Sequence, residues 1–145
     1  MREIKFRGWN PKNKCWLHGF YLQKRWSSEG SAESRSDTAE SRQSSTNVNR
    51  RAHFVCPDEF AHGKSWDDYE ILPETLGQYL CHHDDQDIYE GDIVENEWGE
   101  RFSVEWDDST SAFYLYDPKT DSHTPMDEFC VQVIGNIHDN LDLLK

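Results

Sequence analysis

Short stretches in which apolar and polar side chains alternate punctuate the chain, and each predicts a strand. In Arg2-Glu3-Ile4-Lys5-Phe6-Arg7, apolar Ile4 and Phe6 alternate with charged neighbours, the period of a half-buried strand. Asn10-Pro11-Lys12-Asn13 is a turn signal, which makes Cys15 to Leu22 the partner strand of an N-terminal hairpin. His53 to Cys56 predicts a short strand closed by Pro57. Tyr69 to Leu72 and Leu76 to Leu80 are apolar runs parted by Pro73, which donates no hydrogen bond and so marks a strand start or an edge.

The second half is more regular. Ile88-Tyr89 precedes Glu90-Gly91-Asp92, and Ile93-Val94 then begins a strand ending at Asn96. Glycine supplies a backbone angle that other side chains resist, and the aspartate can bond the turn's own amides. Phe102, Val104 and Trp106 alternate with Arg101, Ser103 and Glu105; Phe113 to Tyr116 follows the Asp107 to Thr110 turn and stops at Asp117-Pro118. Val131, Val133 and Ile134 form the last strand before Gly135. Helix is confined to turns near Met126 to Phe129 and Leu141 to Leu144. Strand signals every 8 to 12 residues predict a mainly β chain. The expected form is a small antiparallel barrel-like domain with an N-terminal β-hairpin and little helix, a β-rich α+β fold being the alternative.

Composition changes this picture in one place. The chain has 145 residues, room for one domain, of which 35% are hydrophobic. Residues Ser27 to Arg50 hold eight serines and three hydrophobic residues, and outside them the hydrophobic share rises to roughly 40%, ordinary for a globular domain. The tract has no aromatic residue and cannot bury enough apolar surface to offset the entropy of ordering it. A single domain over 1–145 with a flexible Ser-rich loop at about 27–50 is therefore expected. No apolar run approaches the ~20 residues of a membrane span, and no apolar segment follows the basic start, so a soluble, cytoplasmic chain is expected.

Charge is also uneven. The net charge is -13, which disfavours nucleic acid as a partner of the whole surface. Yet residues 1 to 26 carry seven basic side chains and one acid, whereas residues 51 to 145 carry five basic and 23 acidic ones. The basic segment is expected to lie against the acidic remainder, in its own chain or a neighbour's.

Candidate chemistry is thin. Cys15, Cys56, Cys81 and Cys130 lack the paired spacing of a zinc site and are expected to be free thiols. The densest polar cluster is Cys81-His82-His83-Asp84-Asp85-Gln86-Asp87, whose donors are all metal ligands in principle. In an extended strand His82 and His83 point to opposite faces, and the aspartates have the character of a hairpin tip. Phosphate-loop, nucleophile-elbow and HExxH patterns are absent. No catalytic, cofactor-binding or metal-binding residue is assigned, and no cofactor.

Three blocks resemble the YopX family of phage and prophage proteins. Arg2 to Trp9 is similar to the family's opening strand. Pro73 to Tyr79, followed by Ile88-Tyr89-Glu90-Gly91-Asp92-Ile93-Val94, resembles its central signature. Val133-Ile134-Gly135-Asn136-Ile137-His138-Asp139-Asn140 with the leucines after it resembles its closing segment. The chain departs from the family at Leu80-Cys81-His82-His83, where members place Thr-Gly-Leu and a basic, glycine-rich turn. The resemblance implies a small, mostly β protein in the bacterial cytoplasm and carries no catalytic residues across; oligomeric assembly suits such a fold. The preferred expectation is a non-enzymatic protein-binding or assembly module that associates with itself or with a host or phage protein. The alternatives are a metal-dependent hydrolase or nuclease using the Cys81–Asp87 cluster, and an acidic mimic of DNA that inhibits a host enzyme.

Overall fold

A computed structural model describes residues 4–26, 50–57, 61–126 and 130–145. The Ser-rich tract lies outside the described residues except for Arg50, which already belongs to a strand. The strands are β1 (Phe6–Asn10), β2 (Cys15–Trp26), β3 (Arg50–Cys56), β4 (Glu70–Ile71), β5 (Gly77–His83) and β6 (Gln86–Tyr89). Then follow β7 (Asp92–Asn96), β8 (Arg101–Asp107), β9 (Ala112–Asp117), β10 (Ser122–Pro125) and β11 (Val131–Asn136). Among the described residues helix is limited to short 3-10 turns, including one at Leu141–Leu144. Met126 sits in such a turn, while 127–129 lie outside the described residues. The mainly β expectation holds.

The barrel does not. The strands form two antiparallel sheets, a six-stranded one in the order β4-β3-β2-β1-β5-β6 and a five-stranded one in the order β10-β9-β8-β7-β11. Neither closes on itself: among the described residues no ladder joins the outer strands of either sheet. The two sheets meet where β6 runs through Glu90-Gly91 into β7, and where the Gln86 side chain accepts the Val133 amide at 3.0 Å.

Each sheet builds its own core. Ile88, Val94, Phe102, Val104, Leu115 and Val131 form one buried cluster, with Ile88 of β6 carried into the second sheet's side chains. Ala52, Phe54, Cys56 and Tyr69 form the other, with Leu17 against it. Fully burying one such side chain stabilises the fold by about 1.5–3 kcal/mol. The predicted inward row of β8 ends early: Phe102 and Val104 are buried, but Trp106 lies 38% exposed, edge-on to Phe113. In β11 a register shift between Val133 and Gly135 takes Ile134 out of the ladder.

The N-terminal hairpin forms as the sequence predicts, β1 pairing with β2 from Phe6 opposite Gly19 to Asn10 opposite Cys15. Its burial is inverted. Ile4 precedes the strand and is 60% exposed, whereas Arg7 is buried, covered by Asp92 and by the rings of Trp16 and Tyr89. Asn10 is also buried; its amide donates to the Glu70 carbonyl at 2.7 Å and its oxygen accepts the Asn13 amide at 2.6 Å.

Strand β2 changes partner midway. Residues up to Gly19 pair with β1, and Phe20 to Trp26 pair with β3. Gly19 permits the change: its φ is +148°, and a β-carbon there would lie 1.9 Å from the Cys56 carbonyl oxygen. Beyond it β2 and β3 run on as an arm, braced by β4 at His53 and Phe54.

Candidate functional site

Three places bring chemistry together. The first is a buried ion pair at the sheet junction. Gly91, at φ +80°, turns the chain so that Asp92 opens β7, and Asp92 Oδ2 accepts the Tyr89 amide at 2.8 Å, as the turn signature predicts. The other carboxylate oxygen meets the guanidinium of Arg7. Arg7 also donates to the Glu90 carbonyl at 3.3 Å, and its charge lies 5.0 Å from the Trp16 ring and 5.1 Å from the Tyr89 ring. Burial pushes the Asp92 carboxyl up, against the opposing pull of Arg7 and the Tyr89 amide. His18 and His138 are held below the ordinary imidazole value, first by burial and then by the Arg7 charge. His138 packs on Trp16 with ring centres 5.8 Å apart, tying the segment after β11 to β2.

The second is an open cleft beside that pair, about 270 Å³ in volume. Glu74, Glu90 and Glu105 supply carboxylates to it, and Trp106, Leu76 and His138 supply ring and apolar surface. Burial raises the Glu90 carboxyl, and the fields of Asp108 and Glu105 add to the rise. The Trp106 indole is fixed by a 2.8 Å bond from its Nε1 to Asp108. A cleft this open suits side chains offered by a protein partner better than it encloses a small ligand.

The third is the end of the arm. Arg25 and Arg51 are register partners across β2 and β3, with Gln23 and His53 as the next pair along the same face. His53 Nδ1 lies 2.7 Å from the Tyr21 hydroxyl. On the opposite face Phe20 and Leu22 are 57% and 43% exposed. The sequence reading missed this site because the Ser-rich tract separates its two arginines. The available signal was a basic pair on each side of the tract, Lys24-Arg25 and Arg50-Arg51.

The Cys81–Asp87 cluster is the tip of the β5–β6 hairpin, as its aspartates suggest; Asp84 and Asp85 both have positive φ, the geometry of a two-residue turn. Its donors are divided among different contacts. His82 Nδ1 pairs with Asp87 at 2.9 Å, the other Asp87 oxygen takes the Lys5 ammonium at 2.9 Å, and His83 faces Asp84 at 3.6 Å. Burial alone would raise Asp87, but Lys5 and His82 outweigh it and hold the carboxyl below its ordinary value. Among the described residues no group of three His, Cys, Asp or Glu side chains is placed to hold a metal ion. Cys56 is buried and its thiol raised by burial, while Cys15, Cys81 and Cys130 are exposed, and all four are free.

The charge division seen in the sequence is answered in part inside the chain. Lys5, Arg7 and Lys12 of the basic segment pair with Asp87, Asp92 and Asp68 of the acidic remainder. Among the described residues no helix is long and apolar enough to cross a membrane. No curated protein matches the chain. The YopX protein family matches it over residues 5–145, covering the opening strand, the central turn into Asp92 and the closing segment, and the chain belongs to that family.

Proposed function

We propose that the protein is a non-enzymatic protein-binding module of phage or prophage origin, working in the cytoplasm of the bacterial host. Family membership supports the phage setting. The observation that carries the binding role is the exposed apolar row of the arm. Phe20 and Leu22, two residues apart on one face of β2, stand 57% and 43% open to solvent, and Trp66 is 40% exposed. In a chain with a mean hydropathy of -0.94, large side chains placed in solvent on one face mark a contact surface. The buried ion pair is structural in this reading, and the cleft is a place where a partner's side chain seats.

The test is capture with the tagged full chain from phage-infected host cells, together with light scattering of the purified protein. Replacing Phe20 and Leu22 by serine leaves the melting temperature nearly unchanged and sharply weakens capture of the partner. A wild type that stays monomeric at high concentration and captures nothing removes the reading. So does capture of a partner that both substitutions leave unchanged.

A further inference from the structure

The chain holds 28 acids against 15 lysines and arginines, yet the arm sets two arginines face to face. Arg25 and Arg51 are directly opposed, which brings their β-carbons to about 5 Å. Both are exposed, and among the described residues neither takes part in an ion pair. Like charges so placed weaken the ladder they sit in. Lys5, Arg7 and Lys12 show that acids of this chain can be brought to its cations, so the pair at the arm's end is left for a partner.

The complement lies on the same molecule. Glu74, Glu90 and Glu105 line the cleft with the Trp106 indole beside them, a lining suited to a guanidinium and its apolar stem. We propose that the arginine pair of one copy docks into the carboxylate cleft of a second copy. The proposal rests on the protein-binding reading and names its partner. The contact is head-to-tail: each bound pair leaves one arm and one cleft free, so copies add on into a ring or a filament. Nucleic acid is the competing occupant of the arm. It would meet a molecule whose net charge of -13 repels a polyanion elsewhere, and it would leave the carboxylate cleft without a role.

The same net charge opposes two copies at long range. Association is therefore strongest near 0.1 M salt, where the screening length is about 10 Å, and declines both at 10 mM and at 1 M. The experiment is sedimentation velocity of the full chain at those three salt concentrations, with two charge-reversed variants. One carries Arg25→Glu and Arg51→Glu; the other carries Glu74→Lys and Glu105→Lys. All four positions are exposed, and thermal melting confirms that both variants fold. Each variant alone associates roughly tenfold or more weakly than wild type, and an equimolar mixture recovers the association, because each then offers the other an opposite charge. A monomeric wild type at all three salts, an arm variant that associates like wild type, or a mixture that stays monomeric overturns the proposal. So does a monomeric wild type whose arginines instead bind a single-stranded oligonucleotide. If the protein captures a partner through Phe20 and Leu22 but shows none of the charge-swap behaviour, the protein-binding reading stands and this inference falls.

Discussion

Arg7 and the pair Arg25 and Arg51 occupy neighbouring strands of one sheet and meet opposite fates. Arg7 is 8% exposed, paired with Asp92, bonded to the Glu90 carbonyl and set between two aromatic rings. Arg25 and Arg51 stand in solvent facing each other. The difference is positional. At the sheet junction a cation is needed because Asp92, which holds the turn into β7, is itself buried. At the arm's end no buried group among the described residues requires one, so charge there costs the fold a little and is available to a partner. One residue type thus serves architecture in one place and stands exposed in the other.

The comparison breaks first at Arg7. Replacing it by methionine leaves the Asp92 carboxylate buried without its countercharge, and the fold loses about 3–5 kcal/mol in urea unfolding. Adding Asp92→Leu recovers much of that loss, since an apolar pair is better tolerated than half an ion pair. Next is Gly19→Ala, which drives a β-carbon into the Cys56 carbonyl. It destabilises by about 1–3 kcal/mol, and hydrogen exchange shows protection lost along Phe20 to Trp26 before β7 and β8 are affected.

A smaller effect comes from the imidazoles beside Arg7. His18 and His138 are held below 6.5 in the folded chain. Above that value both states carry neutral rings. As the pH falls through 6.5 the unfolded chain takes up protons that the folded one resists, so stability falls and keeps falling until the folded rings titrate. Unfolding at pH 7.5 and pH 5.5 measures the slope, and His138→Asn reduces it. The smallest effect has the opposite sign. Arg51→Thr removes the like-charge pair and stabilises the monomer by a few tenths of a kcal/mol, roughly 0.2–1 by analogy with other cross-strand pairs, while weakening self-association. Arg7 variants are expected to lose stability, and Arg51 variants to keep it and lose self-association.

What the sequence made legible follows from the range of the forces involved. Turns written in local chemistry were readable: Asn10 to Asn13, Gly91-Asp92 and the Asp84-Asp85 tip all occur where the residues placed them. Strands with apolar alternation were found as well, though β10, Ser122 to Pro125, carries no apolar row and was missed. Burial of Arg7 could not be read, because it depends on Asp92, 85 positions away, and on rings from two other strands. Trp106 alternates correctly with its neighbours, yet β8 reaches the cleft before the row is complete. Sheet closure is likewise decided by edges that periodicity does not describe. The candidate site was the least legible. The arginine pair exists only through a register that joins residues on either side of the Ser-rich tract, and the cleft only where the two sheets meet.

The exchange of partners at Gly19 turns the arm into a measuring stick. Seven paired residues on β2 extend about 23 Å at roughly 3.3 Å each. Because side chains alternate, lengthening both strands by two residues moves the tip outward by about 7 Å and keeps the arginines on their face. Lengthening them by one turns the arginines to the side that bears Phe20 and Leu22. The reach of the arm can therefore be reset in even steps, and odd steps exchange one kind of surface for the other.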